Sequence, residues 1–231
     1  MAARRGKPTR RAMPRPRSRR TGATARGAAR PRPKRVEHEA AIIEAAEQVF
    51  AGAGFGGATM AEIAKAAGLP KPNLHYYFGS KKALYRAVLE RTLREWLEPA
   101  DCIAASADPH TALEDYIRGK MRLSFARPYA SRVWANELLH GAPELRATLV
   151  RTLRPLMRSK VAVLDRWIAE GRMARVDSSH LFFTIWAATQ TYADFEVQIC
   201  AVLGQGRLDR AAQTRATEHV VALILRGCGL A

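Results

Sequence analysis

From Glu37 onward the apolar positions recur with the period of a helix. Ile42, Ile43, Ala46, Val49 and Phe50 fall on one face, the three-and-four spacing that lets a helix bury one side. The run stops in a cluster of glycines, Gly52, Gly54, Gly56 and Gly57. A short second helix is expected from Met60 to Ala67, with Thr59 as its N-cap and Glu62 in the capping-box position. Gly68 ends it. A third runs from about Pro70 to Tyr77, since proline is tolerated in a first turn. Ser80 opens a fourth helix in which Leu84, Val88 and Trp96 point to one side, and Pro99 closes it.

The second half keeps the same period. The spacing predicts helices over 110–126, 130–140, 143–170, 178–201 and 209–226. Pro155 interrupts the longest of these, so a kink or local break is expected there. The 178–201 span is apolar on two sides, and a helix buried on two sides has two partners. Phe182, Trp186, Thr189 or Gln190, Ala193 and Val197 are assigned to the bundle interior; Leu181, Ile185, Ala188, Tyr192 and Phe195 are assigned to a matching surface on a second copy, a homodimer. No alternating β-branched run bounded by turns is present, and the chain is read as all-α.

Charge adds a separate segment. The 231 residues hold 38 Lys or Arg against 21 Asp or Glu, a formal net charge of +17. Residues 1–36 carry 14 of the basic residues and no carboxylate, interspersed with Pro8, Pro14, Pro16, Pro31 and Pro33. Such a stretch buries too little apolar surface to offset its ordering entropy, so it is expected to be a disordered basic arm. The remainder is close to neutral. A polyanionic partner gains support from this distribution, and acidic small-molecule chemistry gains little. Cys102, Cys200 and Cys228 are dispersed, which excludes a disulfide scaffold and a zinc finger and suits a reducing cytoplasm. No apolar run approaches the ~20 residues of a membrane span, and no membrane partner is expected.

Gly52-x-Gly54-x-x-Gly57 matches the dinucleotide fingerprint in letters only. A helix precedes it, and no carboxylate lies between Glu62 and Glu90 to meet a ribose. It is read as a helix stop, and no cofactor is expected. Glu137 with His140, and Asp177 with His180, have the spacing of metal-ligand pairs on a helix. They leave open a metal-dependent helical enzyme as an alternative, although Asp177 sits where an N-cap is its ordinary work. Another alternative is an architectural nucleic-acid binder dominated by the arm. The stretch 59–78 reads as helix, tight turn and helix. Ile63, Ala64, Leu69 and Leu74 face inward, leaving Lys71, Asn73, His75, Tyr76 and Tyr77 for the outer or flanking surface. A short helix of this kind fits the ~12 Å wide major groove and presents side chains to base edges.

Those residues carry a resemblance. Phe50-Ala-Gly52, Gly54-Phe55, Thr59-Met-Ala-Glu-Ile-Ala, Ala67-Gly68 and above all Leu74-His-Tyr-Tyr-Phe-Gly-Ser-Lys-Lys-Ala-Leu84 resemble the DNA-binding domain of the tetracycline-repressor (TetR) family. The arm over 1–36 lies outside the resemblance, which implies a helix-turn-helix domain over 37–84 and a ligand-binding and dimerisation domain over 85–231. It implies a ligand-responsive transcriptional regulator, a repressor rather than an enzyme, whose partner is double-stranded operator DNA. Carried over by position, Lys71, Asn73, His75 and Tyr76 are recognition-helix contacts, and Thr59 and Lys81 are phosphate contacts at helix starts. The chain departs from the family pattern at Pro70 and Pro72, which remove N–H donors from the start of the recognition helix.

The second half, through Tyr116-Ile-Arg-x-Lys120, Glu137-Leu-Leu-x-Gly-Ala-Pro143 and Ile185-Trp-Ala-x-Thr-Gln190, resembles the pyrimidine-utilisation branch of that family. This implies a small-molecule effector of the uracil or thymine type. Trp186 and Gln190 stand one turn apart and offer a flat ring a stacking face and a paired donor and acceptor. Trp134 and Glu137 on the 130–140 helix complete the expected set, with Glu137 accepting a ring N–H.

Overall fold

The computed structural model describes Ala2 and residues 33–230; most of the arm read over 1–36 lies outside the described residues. Helix α1 runs Pro33–Gly57, so it takes in the last four positions of that arm. It breaks where the glycine cluster requires, at Gly54, whose φ of 68° belongs to the left-handed side favourable to glycine. Helices α2 (Met60–Ala66), α3 (Lys71–Phe78) and α4 (Lys81–Leu97) follow, and a 3-10 turn over Glu98–Cys102 ends α4. Then come α5 (Pro109–Ala126), α6 (Pro128–Leu139), the single turn α7 (Arg146–Thr148) and α8 (Arg154–Ala169). Helices α9 (Ser178–Asp194), α10 (Glu196–Leu203) and α11 (Arg210–Gly227) complete the chain. Among the described residues there is no strand, and no helix is long and apolar enough to cross a membrane.

Two large cores hold these helices, with a small third cluster of Cys200, Leu208 and Ala212 beside α10. Ile42 and Phe50 of α1, Ile63 of α2, Leu74 of α3 and Leu84 and Leu89 of α4 form the first, which extends to Val133 and Trp134 of α6. Leu113, Ile117 and Met121 of α5, Leu164 and Trp167 of α8, Phe182 and Ile185 of α9 and Ile224 of α11 form the second. Helix α4 lies along the first core, and the turn that ends it reaches the second through Ala100. Its end is pressed against α5 at one point. A Cβ on Gly119 would sit 2.8 Å from Pro99 Cβ, so only glycine allows this approach.

Two of the expected helices are broken. The 143–170 span contains a π turn over Leu149–Leu153 immediately before α8. Pro155 has no N–H to continue the ladder, and the backbone absorbs that loss by widening the preceding turn. The 178–201 span breaks at Phe195 (φ −117°, ψ 28°). Here Arg132 of α6 donates from Nε to the Ala193 carbonyl at 2.9 Å. That side chain satisfies a carbonyl at the end of α9, as helix ends require. Ile185, assigned to the outward stripe, is fully buried, whereas Phe183 is exposed, and Val197, assigned to the interior, lies beyond the break and is exposed.

Candidate functional sites: a DNA-reading head and an effector cavity

The head is built locally. Thr59 caps α2 in a reciprocal box: its Oγ1 accepts from the Glu62 amide at 3.2 Å, and the Thr59 amide donates to Glu62 Oε2 at 2.9 Å. Gly68, with φ of 66°, reverses the chain, and the Leu69 amide donates to the Ala64 carbonyl at 3.0 Å. Leu74 is the only fully buried residue of α3 and pins the helix to the core. The rest of its surface is turned outward. Lys71, Asn73, His75 and Tyr76 are all exposed, and Tyr76, at 74%, is among the most exposed large side chains described.

Their hydrogen-bond roles are set by neighbours. His75 Nδ1 lies 3.1 Å from the Gly79 carbonyl; a carbonyl only accepts, so Nδ1 carries the proton and a neutral ring presents Nε2 as an acceptor. Tyr77 is tied inward, its hydroxyl 3.1 Å from His38 Nδ1 on α1, while Arg35 lies 5.9 Å over the Tyr76 ring. Proline at position 72 and the Asn73 amide's bond to the Pro70 carbonyl at 2.9 Å leave the start of α3 few amides for an anion.

Both residues expected to hold phosphate from helix starts have other work. Lys81 Nζ donates to the carbonyls of Phe55 at 2.7 Å and Ala58 at 2.9 Å, and lies 4.7 Å over the Phe55 ring. It closes the end of α1, where the glycine cluster leaves carbonyls unpaired. The Thr59 hydroxyl donates to Glu62 Oε2 at 2.8 Å, inside the capping box.

The cavity lies between α4, α5, α6 and α9. It measures about 240 Å³ and is lined by Leu93, Trp96, Tyr116, Lys120, Trp134, Leu138, Leu149, Leu153, Met157, Trp186 and Gln190, among others. Three of the expected residues, Trp134, Trp186 and Gln190, therefore meet on one wall system. Trp186 Nε1 donates to the Tyr116 hydroxyl at 2.8 Å, which fixes the indole. Burial pushes the Tyr116 phenol up to about 12, so that hydroxyl stays neutral. The Gln190 carboxamide makes no hydrogen bond to the described residues and faces the cavity.

Glu137 is a correction. It is buried at 4% exposure but serves as an internal clamp. Oε1 accepts from the amides of Glu144 at 2.6 Å and Leu145 at 3.2 Å, and Oε2 accepts from the Tyr85 hydroxyl at 3.1 Å. It thereby fastens the connection after α6 to α4, away from the cavity wall. Burial first, and the Glu137 carboxylate second, push the Tyr85 phenol up. The alternative metal pairs are spent likewise: Asp177 caps α9 through the His180 amide at 2.9 Å, and His140 Nδ1 sits 2.7 Å from the Asn136 carbonyl. Among the described residues no three His, Cys, Asp or Glu side chains gather where they would hold a metal ion.

Sequence reasoning missed Trp96, Tyr116 and Lys120. Lys120 is only 3% exposed, sits 4.1 Å over the Trp96 ring, and forms no ion pair or hydrogen bond among the described residues. Burial drives its ammonium down to about 7, with the Asp194 carboxylate opposing weakly. A signal was present. Leu113, Tyr116, Ile117, Lys120, Met121 and Ser124 follow the three-and-four spacing, which puts Lys120 on the buried face of α5.

Comparison with known proteins agrees with this architecture. Residues 42–88 match the family described as bacterial regulatory proteins, tetR family, and residues 89–231 match the YcdC-like protein C-terminal region. The chain is 41% identical over 187 residues to the HTH-type transcriptional regulator RutR of Escherichia coli K12, covering 81% of this chain and 88% of that protein. It is 27% identical over 192 residues to the HTH-type transcriptional repressor NicS of Pseudomonas putida KT2440, covering 80% of this chain and 90% of that one. Its fold is similar to the crystal structure of the Streptomyces coelicolor regulator SCO4942, with a TM-score of 0.64 and 26% identity over 83% of this chain and 98% of the other.

Proposed function

The chain belongs to the tetR family of bacterial regulatory proteins, and from that premise we propose a homodimeric repressor that a small planar heterocycle of the uracil or thymine type releases from operator DNA. It is a helix-turn-helix transcriptional regulator, not an enzyme. The observation that carries the effector reading is the cavity. Its volume of about 240 Å³ lies below the ~300–1,000 Å³ of drug-sized clefts and suits a single ring. Three indoles offer faces for stacking, and Gln190 brings an unpaired donor and acceptor to meet an adjacent ring C=O and N–H. The likeness to the transcriptional regulator RutR supports the regulatory role.

Dimerisation is supported by the apolar side chains left exposed on the last three helices, Phe183, Val197, Val202, Leu203 and Leu223. Such surface on a wet face marks an interaction site. A dimer presents two α3 helices to successive major grooves ~34–36 Å apart. Leu93, Trp96 and Leu97 of α4 wall the cavity, and the far end of α4 packs beside α3 through Leu84. A ligand that prefers one tilt of α4 therefore shifts the α3 separation, by as much as it discriminates between the two states.

Calorimetry with uracil, followed by operator titration with and without it, tests this. Wild type should bind uracil and lose operator affinity in its presence. Gln190→Leu should bind uracil roughly 10- to 100-fold more weakly, because a buried polar ring edge is left unpaired, and should keep its uninduced operator affinity. Wild type that binds no pyrimidine would overturn the effector class.

A further inference from the structure

Lys120 is an expensive residue to keep where it is. A buried ammonium without an ion-pair partner destabilises the folded chain, and its surroundings offer little relief. Of the cavity-lining side chains from α4, α5, α6, the π turn, α8 and α9, only Lys120 and Tyr116 titrate, and Tyr116 stays neutral. Asp194 of α9 is the one carboxylate acting on Lys120 from outside the wall. It accepts from Ser131 Oγ at 2.6 Å and forms no ion pair with the lysine. The ammonium is left with the Trp96 face below it and the cavity before it.

We propose that Lys120 is the specificity-determining residue of the cavity: its ammonium donates to a ring oxo oxygen, so the site takes dioxo pyrimidine-type rings and rejects rings bearing an amino group at that place. This rests on the effector reading above and goes beyond it. Gln190 alone cannot discriminate, because a carboxamide turns over to offer either donor or acceptor, whereas an ammonium has three donors and no acceptor. An exocyclic amine there sets donor against donor while Lys120 is charged; only the neutral lysine amine, which prevails above about pH 7, has a lone pair to accept from it. A site built to hydrogen-bond one group rejects the analogue that cannot answer it.

A consequence separates this role from a structural one. The free ammonium is held down to about 7 by burial, and an oxo oxygen within reach favours its charged form and raises it. Binding above that pH must then take up a proton. Affinity for the ring falls as pH climbs through the window above about 7 and levels off below it.

The test measures uracil and cytosine binding to the full-length protein by calorimetry, at about pH 6 for the preference and at about pH 8, in two buffers of different ionisation enthalpy, for the proton. Wild type should prefer uracil strongly at the lower pH and take up as much as one proton per uracil bound at the higher. Lys120→Met should weaken uracil binding roughly 10- to 100-fold, collapse the preference over cytosine and abolish the proton uptake. A packing role would change the thermal midpoint and leave the uracil-to-cytosine ratio intact, and that result overturns the proposal while sparing the effector class. Absence of proton uptake by wild type overturns it too, and this arm stands even where Lys120→Met does not fold. Wild type that binds neither base overturns both readings together.

Discussion

The head and the cavity both present polar side chains without partners, and they do so in opposite media. Lys71, Asn73 and Tyr76 are exposed on α3, where water satisfies them until a groove replaces it. Lys120 is buried and Gln190 half-buried on the cavity wall, where a missing partner is felt in the folding free energy. The first arrangement costs little and specifies only in contact. The second makes the empty protein less stable than it need be, and a fitting ligand relieves that. Unpaired polar groups thus mean different things according to what surrounds them.

The junction between the two regions gives the largest expected effect. Glu47 of α1 is nearly fully buried, and Arg127, at the head of α6, donates to it at 2.6 Å and to Glu95 of α4 at 3.1 Å. Burial pushes the Glu47 carboxyl up in spite of that arginine. Arg127→Ala strands the carboxylate and should cost about 3–5 kcal/mol of stability, read by denaturant titration. Loss from both DNA and ligand binding at once would follow from unfolding, not from either site.

The contrast in media predicts a pH signature next. Lys120 is held down to about 7 when folded and returns to an ordinary value near 10.5 when unfolded. The unfolded chain therefore binds more protons between these values, and stability conferred by this site rises with pH across them, by at most about 1.4 kcal/mol per unit. The slope should be missing in Lys120→Met and flattened by bound uracil; identical slopes in wild type and variant would erase the distinction between the two regions.

On the head, Asn73→Ala should weaken specific operator binding by about 1–3 kcal/mol if it reads a base edge, without altering the thermal midpoint or uracil binding. The smallest effect is expected of Tyr76→Phe. Its hydroxyl is exposed and makes no hydrogen bond among the described residues, so fold stability should stay within about 0.5 kcal/mol while operator affinity drops measurably. A large stability loss in either variant would place α3 in the core.

Legibility followed the range of the interactions. The head could be read because its determinants are a few residues apart: Thr59 with Glu62, Gly68, Ser80, whose Oγ accepts from the Ala83 amide at 3.1 Å, and a single buried leucine. Helix type and order followed from period alone. What failed needed partners distant in sequence. Lys81 was read as a phosphate contact and Glu137 as an acceptor for a ring N–H because nothing in their own helices shows that α1's open carbonyls, or the amides after α6, claim them. The break at Phe195 depends on Arg132, more than sixty positions away. Trp134, Trp186 and Gln190, chosen for chemistry suited to a flat ring, do line one cavity, yet Lys120 was overlooked although its register already placed it inside.

The contact of Gly119 with Pro99 turns α4 into a beam with a fulcrum. With no room for a methyl group between them, the contact opposes sliding past α5 and leaves a tilt about it as the easier motion. At 1.5 Å per residue, Leu93 on the cavity wall stands roughly 9 Å from that point and Ser80 roughly 29 Å from it. The arms differ by a factor of about three, so in a rigid tilt about this contact a shift of about 1 Å beside the cavity would correspond to about 3 Å at the reading head. A ligand smaller than a single indole can in this way be geared up to the scale on which a groove is matched or missed.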